Sequence, residues 1–550
     1  MGLLKRSLVA HGAEEVHGKD AFLDNDDLRP LKLKDRTWTR VTYFTFWFSA
    51  TATVSNWYGA SASQALGLSM WEAIGCSLGG QILIAFVITL NGRPGAKYHI
   101  GYPIVNRAAF GVYGAWWPTF NRAVMAIVWN GVNCVQGAQC VYVMLHAIFP
   151  SITGIPNTMG SGSALTTGGM IGFVVFWVIV CFFLVIPVPK MRGLVYAKLV
   201  VFIISAIAML AWTVTKAGGL GPVATQGGTA SGSERGWLIV RFLMLAAANC
   251  ATFASNAADF QRYAGKSSDV ILGNLFGFPI ANLLVAIVGN LVCASSQRIF
   301  GELVWNPLDL LDRIQTEDYS SRNRAGCFFI ALCFVYCAIF SSIFENSLPA
   351  GNDIAALFPK YFTVRRGFFI CAIISFAINP WFLLGSASIF VTFLGSYQIF
   401  LSSITGVLLV NYYVIGRGYI QIPDCFTSSK TGAYHYYHGW NIRAYVAYIL
   451  GIVPNFYGFL NNMGVSAPIN VTRFYYFAYW VGLAVSGLSF WISCKIWPPP
   501  IMETGWKEPR DYVRPEEADE EAVVVEGVID ETASSDREEK RVGMETSKAI

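Results

Sequence analysis

Three clusters of side chains in this chain have the types and spacing to do chemistry. The first is Asn249-Cys-Ala-Thr-Phe-Ala-Ser-Asn256-Ala-Ala-Asp259-Phe-Gln-Arg262-Tyr263, which ends a long apolar run and puts two amides and two hydroxyls at lipid depth. An unpaired polar group in hydrocarbon is costly, so such a segment must line a cavity or bury against protein. Neutral amides around a cavity suit a small, uncharged, hydrogen-bonding solute. The second cluster is Trp129, Asn133, Gln136 and Cys140, at i, i+4, i+7 and i+11 on one helix face. Trp129 offers a flat π surface, and Asn133 offers both a donor and an acceptor to a ring edge. The same spacing also serves an interhelical polar contact with Trp129 as packing.

The third cluster is Cys337, Ser341 and Glu345 on one face, followed by Asn346. A carboxylate at membrane depth is a functional candidate by default. Glu345, with Ser341, is therefore the expected proton-coupling site; the competing role is a structural ion pair with a neighbouring helix. Glu72, beside Trp71, reads as interfacial, and Asp353 reads as a cap on the inner end of its segment. Cys333 and Cys337 share a face as packing residues.

These clusters need a membrane scaffold. The chain has 550 residues, 54% hydrophobic and only 13% charged, with mean hydropathy +0.47; a soluble domain carries roughly 25% charged residues. Apolar runs of spanning length fall at about 42–67, 70–90, 119–149, 167–188, 194–215, 237–258, 270–295, 326–350, 367–380, 382–414, 442–460 and 473–496. The expected class is an all-α polytopic membrane protein of about twelve helices. Residues 1–41 form a polar N-tail, 42–496 the membrane domain, and 497–550 an acidic, disordered C-tail. Short loops carrying Arg93, Lys97, Arg107, Arg122, Lys190 and Arg192 lie on one side, which puts both termini in the cytoplasm by the positive-inside rule. The Gly/Ser/Thr-rich stretch 217–234 reads as a flexible outer loop, and the sequon Asn470-Val-Thr472 falls outside.

Segments one and six load their middles with small and hydroxyl residues (Thr51-Ala-Thr53-Val-Ser55-Asn56 in the first). They open successive sets of five segments. Inverted five-helix repeats bind substrate where each first helix breaks; close helix packing through small residues gives the same composition. No HExxH motif is present, and Ala264-Gly-Lys-Ser lacks the upstream glycine of a phosphate loop. Neither an enzyme, a channel nor a nucleic-acid binder is indicated, and no cofactor or metal is expected.

Asn25-Asp-Asp-Leu-Arg-Pro, Arg36-Thr-Trp, Arg122 to Asn133, Asn249 to Tyr263, Asn346-Ser-Leu-Pro-Ala-Gly-Asn352-Asp353 and Asn441-Ile-Arg-Ala-Tyr together carry a resemblance. The chain resembles the fungal uracil/allantoin/uridine permease branch of the nucleobase–cation symport one family, over nearly its whole membrane part. That resemblance implies a leucine-transporter-like 5+5 inverted repeat plus two extra helices, with repeats at about 42–215 and 237–414 and the extra pair at 442–496. It implies a ring substrate stacked on Trp129, read by Asn133 where the family often has Gln, and by Asn346. Asn249, Cys250, Gln136 and Asn56 complete the expected site, and Cys250 in place of an aromatic points to a bulkier substrate. Phe340-Ser341 lacks one hydroxyl of a sodium-binding pair, so the implied coupling ion is the proton.

Asp259, Arg262 and Lys266 are expected at the inner mouth, with Arg262 or Lys266 pairing Asp26 or Asp27 of the N-tail when that gate closes. The implied function is proton-coupled uptake of a nucleobase or related heterocycle (uracil, allantoin, uric acid) at the plasma membrane. The alternatives are a nucleoside or vitamin permease (uridine, thiamine, nicotinamide riboside) and a receptor-like member that does not transport. The expected partners are the ring substrate, the lipid bilayer and, through Lys507, Lys540 and Lys548 of the tail, the ubiquitin machinery.

Overall fold

Thr53 decides how the membrane domain begins. It stands in extended backbone (φ −137°, ψ 152°) within an apolar run, and its hydroxyl accepts the Asn56 N–H. A capping hydroxyl there ends one helix and starts the next. Helix α1 (Arg40–Thr51) therefore stops, and α2 (Val54–Ala65) restarts two residues later. The Asn56 amide donates to the Thr51 carbonyl at 2.9 Å, satisfying a group the break would orphan.

This computed structural model describes residues 20–186 and 191–517. Helix α3 (Met70–Tyr98) opens on a capping box between Ser69 and Glu72. It is followed by α4 (Tyr102–Phe110), α5 (Trp116–Ile148), α6 (Thr167–Leu184), α7 (Arg192–Lys216) and short α8 (Leu220–Ala224). The second break divides one run into α9 (Gly232–Asn249), α10 (Ala251–Ser255) and α11 (Ala257–Gln261). Then come α12 (Asp269–Phe300), α13 (Pro307–Glu317) and α14 (Ser321–Leu357), the last widened by a π-turn at Ser342–Ser347. Helices α15 (Val364–Ala377), α16 (Ala387–Ser396), α17 (Gln398–Val410), α18 (Ile442–Asn462), α19 (Ile469–Tyr475) and α20 (Ala478–Ile496) complete the all-helical fold.

Seven helices among the described residues are long and apolar enough to cross a membrane. The sequence count of about twelve is not reached by that measure. The first and sixth runs are each cut into pieces, and α5 is studded with Arg122, Asn130, Asn133 and Gln136.

Four boundary expectations change. The ninth run ends at Ala377, and a 3₁₀ turn over Pro380–Leu384 follows Asn379 in left-handed backbone, because proline cannot continue the helix. The tenth splits at Tyr397 between α16 and α17. The stretch 217–234 is pinned rather than flexible: it contains α8, the Trp71 indole donates to the Ala224 carbonyl at 2.9 Å, and Ala230 N–H bonds Gly67 O at 3.1 Å. Residues 501–517 of the tail are packed as a strap across the helix ends on the N-tail side, since Glu508 meets Arg93 and Asp511 meets His99 there. Residues 518–550, where the rest of the disordered tail was expected, and 1–19 lie outside the described residues.

Candidate functional site

Both breaks deliver their side chains to one central cavity of about 50 Å³. The first contributes Thr53, Ser55 and Asn56, and the second Asn249, Cys250, Thr252, Phe253 and Asn256. Helix α5 adds Arg122, Trp129 and Asn133; the π-turn of α14 adds Glu345 and Asn346. Six of the expected binding residues thus share one chamber. Gln136 stands behind it, joined through Ser55.

The hydrogen bonds decide what the amides present. The Ser55 hydroxyl lies 2.9 Å from both Asn133 Oδ1 and Gln136 Oε1, yet has one proton to give. The Gln136 amide nitrogen is buried without a partner. The Ser55 hydroxyl can therefore donate to only one of the two amide oxygens at a time. Asn133 keeps its NH₂ for the cavity. Asn346 does the opposite, because its NH₂ donates to the Ser341 carbonyl at 3.3 Å and leaves Oδ1 free. One amide therefore offers a donor and the other an acceptor. Among the described residues Asn249 makes no side-chain hydrogen bond, and its backbone carbonyl accepts from Tyr397 at 3.1 Å. Cys250 directs its thiol to Gln81 Oε1 at 3.4 Å.

Above Trp129 lies an aromatic roof. Its ring meets Phe393 at 5.4 Å and Phe390 at 6.5 Å, and Trp305 stacks on Phe390 at 5.9 Å. The opposite, tail-facing side is open. A vestibule of about 940 Å³ shares Ala50 and Glu345 with the central cavity and reaches Asp26 and Asp27 of the N-tail.

Two buried ion pairs flank the chamber. Glu345 accepts from Lys198 Nζ at 2.7 Å, the partner coming from α7. Ser341, on the same face one turn before Glu345, has its hydroxyl buried. Arg122 pairs with Asp353 at 2.8 Å, and neither side chain is more than 3% exposed. This corrects two expectations: Arg122 is not in a loop, and Asp353 is not a cap but the counter-ion of a buried arginine. Asn256, with its amide turned, donates to Thr252 O at 2.6 Å and accepts from Arg122. The spacing held a clue to Arg122, which precedes Trp129 by seven residues on the same face.

With the vestibule open, Arg262 and Lys266 make no ion pair with Asp26 or Asp27 among the described residues, and the pairing expected on closure is not tested in this open arrangement. Asp259 Oδ1 accepts the Tyr102 N–H at 2.8 Å. Arg262 reaches the backbone carbonyl of Asp27 at 3.5 Å, not its carboxylate, which accepts from Val364 N–H at 3.2 Å. Asp26 pairs with Arg29 at 3.6 Å, and Lys266 is solvent-exposed. The C-terminal strap lies beside them. Glu508 takes two 2.6 Å bonds from Arg93, and Asp511 meets His99 Nε2 at 2.6 Å while His99 Nδ1 faces the Arg262 carbonyl at 2.9 Å. Burial alone would raise both carboxyls. Arg93, Tyr412 and Lys97 around Glu508, and His99 and Arg36 around Asp511, outweigh it and hold both below the usual carboxylate range. No group of three metal-ligating side chains is found among the described residues.

The family described as permeases for cytosine/purines, uracil, thiamine and allantoin matches residues 30–482. The uridine permease of Saccharomyces cerevisiae is 39% identical over 487 residues, 87% of this chain and 76% of that protein. The allantoin permease of the same yeast is 35% identical over 91% of this chain and 81% of its own length, and the uracil permease 35% identical over 88% and 79%. Among solved structures, the nucleobase-cation-symport-1 transporter Mhp1, closed with bromovinylhydantoin bound, superposes with a TM-score of 0.70 at 17% identity, covering 86% of this chain and 97% of its own. Its inward-facing form gives 0.71 at 16% identity, covering 90% and 98%. These relatives are transporters, not enzymes, and the chain is an integral membrane protein with their fold. It belongs to the cytosine/purine, uracil, thiamine and allantoin permease family, as a secondary transporter.

Proposed function

We propose that this transporter takes up a neutral cyclic amide or imide, a nucleobase such as uracil or a related heterocycle such as allantoin, by proton-coupled alternating access. What carries the reading is the sharing of one chamber by Trp129, Asn133 and Asn346. A ring stacked on the indole meets an NH₂ from Asn133 and a carbonyl from Asn346, the complement of adjacent C=O and N–H groups on a ring edge. Glu345 is the carboxylate that borders the chamber and the vestibule, and it is the proposed proton carrier: protonation would release Lys198 and loosen α14 from α7. Sodium has no role in this scheme.

The N-tail is proposed to act in gating, with Asp26, Asp27, Asp259, Arg262 and Lys266 exchanging partners as the vestibule closes. The membrane is proposed to be the plasma membrane with both tails cytoplasmic, where Lys507, 57% exposed, is open to ubiquitin ligation.

The test is uptake of labelled uracil in cells lacking their own permeases, with allantoin, uridine and thiamine as competitors. Absence of accumulation of any of these would overturn the transport reading for them and favour a receptor-like role. Glu345→Gln is expected to lose the pH dependence of uptake; a wild-type pH profile would remove Glu345 from coupling. A nucleoside reading is favoured by one observation: a small polar pocket bordered by Ser63, Ser77 and Asn282 adjoins the chamber at Asn56 and Asn249. Uridine outcompeting uracil would establish it.

A further inference from the structure

A broken helix in lipid leaves carbonyls that no backbone N–H can reach. At the second break, Cys250 N–H turns to Ala247, so Ala246 O loses its helical partner. Gln81 of α3 supplies one, its Nε2 donating to Ala246 O at 3.1 Å, while its Oε1 accepts the Cys250 thiol at 3.4 Å. Further along, Asp259 N–H turns to Asn256, and Asn91 of α3 donates to both Ala254 O at 2.8 Å and Ser255 O at 2.9 Å. Gln261 of α11 returns a bond to Ile88 O at 3.0 Å. Glycines let the two elements approach this closely. A methyl at Gly80 would stand 2.5 Å from Leu243 O, and one at Gly95 2.5 Å from Ala258 O.

The first break is closed differently. It uses its own Asn56, and before it the Trp47 indole N–H donates to Asn274 Oδ1 of the neighbouring α12 at 2.8 Å. The second break is thus the one whose backbone carbonyls are taken up by side chains of a neighbouring helix.

We infer that Gln81 and Asn91 are positioning residues for substrate selection: α3 acts as a splint that fixes the unwound turn carrying Asn249 and Cys250 against the cavity wall. Neither amide lines the central cavity, and Gln81 borders only the adjoining polar pocket. Gln81 acts through Cys250 and the Ala246 carbonyl, so it sets how far the wall at 249–250 stands from Trp129. This inference rests on the transport reading proposed above.

The experiment measures uptake kinetics of labelled uracil and allantoin, normalised to surface abundance, for Gln81→Leu, Asn91→Leu, Cys250→Ala and the Gln81→Leu/Cys250→Ala double variant. Gln81→Leu is expected to raise KM about tenfold, the scale of one lost positioning contact, with maximal rate little changed and the uracil-to-allantoin preference altered. Asn91→Leu is expected to behave likewise. The double variant should lose less than the product of its single variants, because both act on one turn. A merely structural role would lower abundance or maximal rate for both substrates equally, leave KM and preference unchanged, and overturn the inference.

A second measurement needs neither transport nor a chosen substrate: peptide-resolved mass spectrometry of Cys250 alkylation by a small maleimide in purified protein. Faster alkylation in Gln81→Leu than in the wild type is expected. Equal rates would overturn the splint even if transport were shown, and a failure of transport alone would leave this outcome free to decide.

Discussion

Arg122 and Asp353, 231 residues apart in sequence, meet at 2.8 Å in a fully buried ion pair beside the central cavity. Charges removed from water are held only by each other and by nearby hydrogen bonds, here the carbonyl of Asn256. Removing one partner strands the other. Arg122→Leu or Asp353→Leu is expected to lower stability by about 3–5 kcal/mol, seen as a large drop in thermal midpoint in detergent. The double variant Arg122→Met/Asp353→Leu should recover much of that loss, while uptake stays impaired.

Trp129 is predicted to carry ring stacking. Stacking of a base on an aromatic side chain is worth about 1–3 kcal/mol, so Trp129→Ala should raise KM for the transported heterocycle by roughly tenfold to a hundredfold. Trp129→Phe should retain most of the affinity. Asn133→Gln, which lengthens the donor by one bond, should change the preference among ring substrates in a competition assay more than it changes maximal rate.

The C-terminal strap has a predictable pH window. Glu508 and Asp511 are held below their ordinary values of 4.5 and 3.8. A depressed carboxyl contributes stability that is present above its unfolded value and is lost as pH falls through the folded one. The strap should therefore stay docked across the neutral range and detach only in acid, as pH falls below those ordinary values. Hydrogen exchange of residues 503–517 in a pH series would check this. Glu508→Gln should raise exchange there at neutral pH without changing the helices' own protection.

Close approach along α3 gives a stability test with built-in controls. Gly95→Ala would push a methyl against the Ala258 backbone, and overpacking of this kind costs about 1–3 kcal/mol. Gly75→Ala and Gly193→Ala face open space and should be neutral or slightly stabilising in the same thermal assay.

The polar face of α5 was legible because helical periodicity alone aligns Trp129, Asn133 and Gln136. Both breaks were legible in kind, since small and hydroxyl residues crowd the middles of the first and sixth runs. Their places were not: Thr53 ends α1 by a capping geometry that a composition average smooths over. Arg122 was misread because a charge near a segment end counts as a loop residue until its partner is known, and Asp353 lies far along the chain. Lys198 stayed hidden for the same reason as the mate of Glu345. The strap at 501–517 has the composition of a solvated tail. Partners distant in sequence, Arg93 and His99 of the α3 end with Arg36 and Tyr412, make it ordered.

Arg514 grips the Pro30 carbonyl, and Glu517 accepts the Leu33 N–H at 3.3 Å. A segment before the first membrane helix thus touches a segment after the last. The two must share one aqueous compartment, whichever it is, and so the polypeptide crosses the bilayer an even number of times between them. Parity of this kind needs no hydropathy threshold. It means that the seven long apolar helices cannot be the exact set of crossings, and that any topology with an odd total is incompatible with this pair of contacts.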